Sequence, residues 1–148
     1  MEKENNSQNA LDMQDTLIME AISLANNQSN HAIAKVRQEI EPNLVLIHRK
    51  IATLCKECSI KHKELDTINQ CCAPFNYIQQ VLSINMANAM NEEHDKFKSC
   101  IDKATDAFRS TKKTAKLNSS IKVCIEQFQT AMPKRIKSCV SSSLSQLV

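Results

Sequence analysis

The sequence predicts an all-α protein, an antiparallel bundle of about four amphipathic helices. Three observations lead there. Apolar residues recur at steps of three, four and seven along most of the 148 residues, the spacing of one helical face. No segment sustains the period-two alternation of a half-buried strand. The chain also contains no glycine, so the positive-φ positions of primed hairpin turns lack their usual occupant.

Taken in order, residues 1–9 are polar and read as a flexible tail, leaving residues 10–148 as a single bundle domain. From Leu11 a stripe runs through Ile18, Ile22, Ala25, Ala32 or Ile33, Val36 and Ile40. The poor helix formers Asn26 to Asn30 interrupt it, but it resumes in phase, which predicts one long helix with a weak middle; two helices are the alternative. Pro42 disfavours helical geometry at Glu41 and suits a first turn, so a second helix is expected from about Asn43 to Asn69. Its stripe is Leu44, Ile47, Ile51, Leu54 or Cys55, Cys58, Leu65 and Ile68. Cys71-Cys72-Ala-Pro74 reads as the next turn. The third helix then carries Phe75, Ile78, Leu82, Met86, Ala89 or Met90, Phe97, Ile101, Ala104 and Phe108, weakest between Asn88 and Asp95, with Cys100 beside the stripe. Leu117-Asn118-Ser119-Ser120 offers a turn and N-cap residues. The last helix carries Ile121, Ile125, Phe128, Met132, Ile136, Cys139 or Val140, Leu144 and Leu147, and its phase continues across Pro133, so a kink that keeps the core face is expected.

Composition excludes several chemistries. A chain without glycine cannot build a P-loop, a dinucleotide fingerprint or a nucleophile elbow. One tyrosine, four phenylalanines and no tryptophan provide little for stacking single-stranded bases. No apolar run approaches the ~18–20 residues that span a bilayer. The first residues show no apolar signal-peptide core. The expectation is therefore either an intracellular protein or a mature secreted chain with an added Met. The net charge of +3 is uneven. Residues 1–108 sum to −4, whereas residues 109–148 carry eight basic side chains against Glu126 alone.

Seven cysteines, Cys55, Cys58, Cys71, Cys72, Cys100, Cys124 and Cys139, are many for a reducing compartment. They read best as buried thiols or inter-helix disulfides; most are expected to be paired, with at least one bond tying the last helix to an earlier one, while the missing signal peptide favours free thiols. In an ideal up-down bundle Cys139 falls near the level of both Cys100 and Cys55, and Cys124 about a helical turn or two above Cys100, which allows Cys100–Cys139 or Cys55–Cys139 without deciding the connectivity. The odd count leaves one thiol free, metal-bound or joined to another chain. Cys55, Cys58 and His62, at i, i+3 and i+7, are metal candidates that would need a fourth ligand such as Cys71 or Cys72. As a redox dithiol, Cys55-x-x-Cys58 lies mid-helix, away from the helix N-terminus that lowers a thiol's pKa.

The four histidines (His31, His48, His62 and His94) are scattered, and no catalytic constellation can be assigned. Arg109, Lys112, Lys113 and Lys116, with Lys122 beyond the turn, make a basic stripe. It could meet phosphate on a membrane or nucleic acid, or simply complement a helix C-terminus. Asn5, Asn27 and Asn118 head Asn-x-Ser sequons, which matter only in a secreted chain.

Cysteines scattered through glycine-poor amphipathic helices resemble small secreted helical proteins of insects, nearest to the TsetseEP-domain family. Cys55-Lys-Glu-Cys58 with a following cysteine, and Phe128-Gln-Thr-Ala-Met-Pro-Lys-Arg-Ile-Lys-Ser-Cys139, carry the likeness over roughly residues 50–140. The vicinal Cys71-Cys72 and the missing signal peptide depart from it. The resemblance implies secretion and disulfides and transfers no functional residue. The expected function is thus a non-enzymatic, secreted, disulfide-stabilised binding or interaction protein without a cofactor. Its partner would be a protein or an apolar ligand, and it could form a disulfide-linked or helix-mediated dimer. The alternatives are a cytoplasmic helical protein with a Cys/His metal site, or a basic-face binder of membrane or nucleic acid.

Overall fold

The structure, a computed structural model, describes residues 2–148, with side chains from Gln8 onward. The flexible tail expected over residues 1–9 falls largely on side chains outside the described residues, as does the Asn5 sequon.

The described residues form three helices and no strands: α1 (Glu2–Lys61), α2 (Leu65–Thr111) and α3 (Thr114–Gln146). The all-α expectation holds, but the number of helices is three rather than about four. The difference lies at the prolines. Pro42, Pro74 and Pro133 all sit inside helices. A proline's φ suits the α-helix; its cost is the lost hydrogen bond to residue i−4 and a steric push on that carbonyl, ~3 kcal/mol. Pro42 and Pro74 are exposed, as are Gln38 and Gln70, whose carbonyls lose a donor, so water can replace it. The apolar stripe also crosses Pro42 in phase: Val36, Ile40, Ile47 and Ile51 are all buried. Full burial of each such side chain stabilises by ~1.5–3 kcal/mol, which outweighs one missing bond. The same argument keeps α1 continuous through Asn26 to Asn30, where Ala25 is fully buried and Ser29 turns its hydroxyl back onto the Asn26 carbonyl at 3.0 Å.

The turns consequently lie elsewhere than expected. The first is His62-Lys63-Glu64, not Cys71 to Pro74. The His62 N–H closes α1 by donating to the Cys58 carbonyl at 3.1 Å, and the Ile68 N–H opens α2 on the Glu64 carbonyl at 3.0 Å. Lys61 in the last turn of α1 and Asp66 in the first turn of α2 complement the two helix dipoles. Leu65, assigned from its spacing to a core stripe, is 71% exposed. The second turn is Lys112-Lys113, ahead of the expected Leu117 to Ser120, and Leu117 is instead buried. Lys112 has φ 57° and its N–H donates to the Phe108 carbonyl at 2.7 Å, an αL helix cap made without glycine.

The chain divides into two compact units, each taking a segment of every helix. Unit 1 comprises Met1–Ile33 and Glu92–Ala131. Its core holds Ile18, Ala21 and Ala25 from α1, Phe97, Ile101, Ala104 and Phe108 from α2, and Leu117, Ile121, Cys124 and Phe128 from α3. The Phe97 and Phe128 rings meet in a tilted contact, centroids 5.1 Å apart. Unit 2 comprises Ala34–Asn91 and Met132–Val148. It buries Val36, Ile40, Ile47, Ile51 and Cys58 with Leu82, Ala89, Met132, Ile136 and Val140. Lys137 on α3 pairs with Glu39 on α1, and the Gln79 amide of α2 meets His48 Nδ1 of α1 at 3.0 Å.

Candidate functional site

Six of the seven cysteines form three disulfides: Cys55–Cys72, Cys58–Cys71 and Cys100–Cys124, with Cα separations of 5.1, 5.8 and 5.7 Å. The first two follow from the turn. Cys55 and Cys58 lie one helical turn apart on α1, and antiparallel α2 returns past them, so the residue nearer the turn on each helix pairs inside and the farther one outside. Two nested bridges thus close the α1–α2 hairpin of unit 2. The third ties α3 to α2 in unit 1, a bond from the last helix to an earlier one as expected, but through Cys124, which the four-helix register had placed a turn or two away from Cys100. Cys139 keeps its thiol and is half-buried. It does not take the Cys55 or Cys100 pairing that the four-helix register allowed. The Lys137–Glu39 contact sets Cys139 level with Glu41 and Pro42, ~20 Å along α1 from Cys55 at 1.5 Å per residue.

The metal candidates fare differently from the geometry the sequence suggested. Cys55 and Cys58 place their sulfurs in disulfides, and His62 sits beyond the end of α1 rather than on its stripe. A disulfide sulfur is not the thiolate that zinc takes. Among the described residues no three His, Cys, Asp or Glu side chains converge on a metal-sized site. His31 and His94 are exposed on separate helices. The basic stripe is exposed throughout, but the turn cuts it: Arg109 lies in the last turn of α2, Lys112 and Lys113 form the turn, and Lys116 and Lys122 belong to α3.

A concavity lies in unit 1 between α1 and α3. Ala21 and Leu24 of α1 and Ile121 and Ile125 of α3 supply its apolar floor. Gln28, Asn118, Lys122, Glu126 and Gln129 give it a polar rim. Its volume is about 460 Å³, within the ~300–1,000 Å³ of small-molecule sites. Leu24 is 55% exposed, so the groove is open to solvent. Beside the core, Leu24 adjoins the fully buried Ala25 on α1, and Ile125 lies one helical turn from the buried Ile121 on α3.

A second, smaller cavity of about 240 Å³ lies against Phe97, Phe128 and the Cys100–Cys124 bridge. Glu93 lines it and is 4% exposed, with Lys96 Nζ at 3.4 Å from its carboxylate. Sequence reasoning missed Glu93, although a signal was present. The stripe steps from Ala89 to Phe97, and the skipped position at i+4 is Glu93.

The fold and these features define a class: an all-α protein braced by disulfides, with no helix long and apolar enough to cross a membrane among the described residues. No family model matches the chain, and neither does any curated protein or solved structure.

Proposed function

We propose that this is a non-enzymatic extracellular binding protein whose disulfides hold a helical scaffold and whose α1–α3 groove receives an apolar ligand or an apolar segment of a partner. The observation that carries the reading is the pairing of six of seven cysteines between helices in both units. Such bridges persist in oxidising compartments and are reduced in the cytosol. The groove supports the binding part, since open apolar floors with a polar rim are what ligand sites and docking segments use. The absence of glycine supports the non-enzymatic part, because the phosphate-binding and nucleophile-elbow turns need it. The likeness of Cys55-Lys-Glu-Cys58 and Phe128 to Cys139 to secreted helical proteins points the same way.

Two measurements test it. Thiol titration of the unfolded, unreduced protein should find one reactive thiol, Cys139; seven would sink the extracellular reading. An apolar fluorescent probe should bind with a stoichiometry near one and lose at least tenfold in affinity in Leu24→Asp. Unchanged affinity in that variant would remove the groove from the proposal.

A further inference from the structure

We propose that Asn118 carries an N-linked glycan, set on the rim of the α1–α3 groove. The inference rests on the extracellular reading, since transfer needs passage through an oxidising secretory compartment. Asn118-Ser119-Ser120 is an acceptor sequence without proline at its middle position. Asn118 is exposed, Ser120 is half-buried, and neither side chain makes a hydrogen bond among the described residues. A glycan there displaces no side-chain hydrogen bond of Asn118.

The chemistry is a substitution at an anomeric carbon. Asn118 Nδ2 attacks C1 of the reducing-end sugar of a lipid-pyrophosphate-linked oligosaccharide. The N–C1 bond forms, the C1–O bond to pyrophosphate breaks, the lipid pyrophosphate leaves, and the amide nitrogen gives up one proton to base. Transfer occurs on the extended chain, before α3 closes. Once the chain is folded, the sugars stand beside Leu24, which lines the same groove and is 55% exposed.

The test is secretion of the full chain from insect cells behind a cleavable leader, with intact mass measured before and after peptide N-glycosidase and thiols counted on the same sample. Wild type should lose the mass of a core glycan. Asn118→Gln and Ser120→Ala should each lower that loss by the mass of one core glycan, and Ser120→Thr should retain it in full. One free thiol with no glycosidase-sensitive mass overturns the glycan alone and leaves the extracellular reading standing. Full retention of the mass loss in Asn118→Gln overturns the assignment to this residue. Seven free thiols overturn the extracellular reading and this inference with it.

Discussion

Lys112 is the only described residue with positive φ, and it ends α2 in a conformation that costs an L-residue ~1–2 kcal/mol because its Cβ crowds the following carbonyl. Glycine has no Cβ and is the common C′ residue of αL caps. Lys112→Gly should therefore raise stability by about 1 kcal/mol, or ~2–4 °C in Tm for a chain of this size, whereas Lys112→Ala should gain nothing. Thermal unfolding followed by circular dichroism reads both. Glu39 provides a pH-dependent counterpart. The hydrogen bond from Lys137 holds its carboxyl below the ordinary carboxylate range; desolvation opposes this, and the charges of Lys137 and Lys35 add to it. A lowered folded-state pKa contributes stability that is present above the unfolded carboxylate range and lost as pH falls through the folded value. Lys137→Met should accordingly be less stable than wild type at neutral pH, with the gap closing as the solution is acidified through that range. A gap that stays constant with pH would show that Lys137 acts through packing alone.

At the scale of elements, the decisive features are the prolines and the staples. Pro42 leaves the Gln38 carbonyl without its helical donor. Pro42→Ala should thus stabilise α1 by about 1–3 kcal/mol, less whatever the proline saves in the unfolded chain. If Pro42 marked a helix boundary, the same substitution would change little. The nested bridges predict non-additivity. Cys55–Cys72 and Cys58–Cys71 span sequence separations of 17 and 13 across one turn. While either remains, the other closes only a short additional ring. In the chain-entropy model each single removal by paired Cys→Ser costs about 2 kcal/mol and removal of both about 5, more than the two singles together. Removing Cys100–Cys124, with a separation of 24 and no companion, costs about 3–4 kcal/mol. Denaturant unfolding of the four variants against wild type checks the pattern.

For the whole molecule, a chelator separates the proposed scaffold from the metal alternative. With the Cys55 and Cys58 sulfurs in disulfides, EDTA should leave Tm unchanged and reductant should lower it; the reverse pattern would restore Cys55, Cys58 and His62 as ligands. Much of the molecule was legible in the sequence by itself. The apolar spacing determined that the described chain is helical, and it placed Val36, Ile47, Phe97, Phe128 and Ile136 in the core, because a side chain's face depends only on the 3.6-residue repeat. The cysteine count pointed to disulfides with one thiol left over. Where the helices end was decided by tertiary structure. Proline and asparagine are weak helix formers locally, but burial of the stripes on either side of Pro42 and Asn26 to Asn30 outweighs that penalty. The turn at His62 to Glu64 carries no glycine or proline to announce it. Once the turn lies there, the register of α2 against α1 follows, and with it two pairings, Cys55 with Cys72 and Cys58 with Cys71; the Lys112-Lys113 turn then sets α3, and with it Cys100 against Cys124. The α1–α3 groove belongs to the same category. It is made by residues distant in sequence, Leu24 and Ile125 among them, whose neighbourhood depends on that register and on no local pattern.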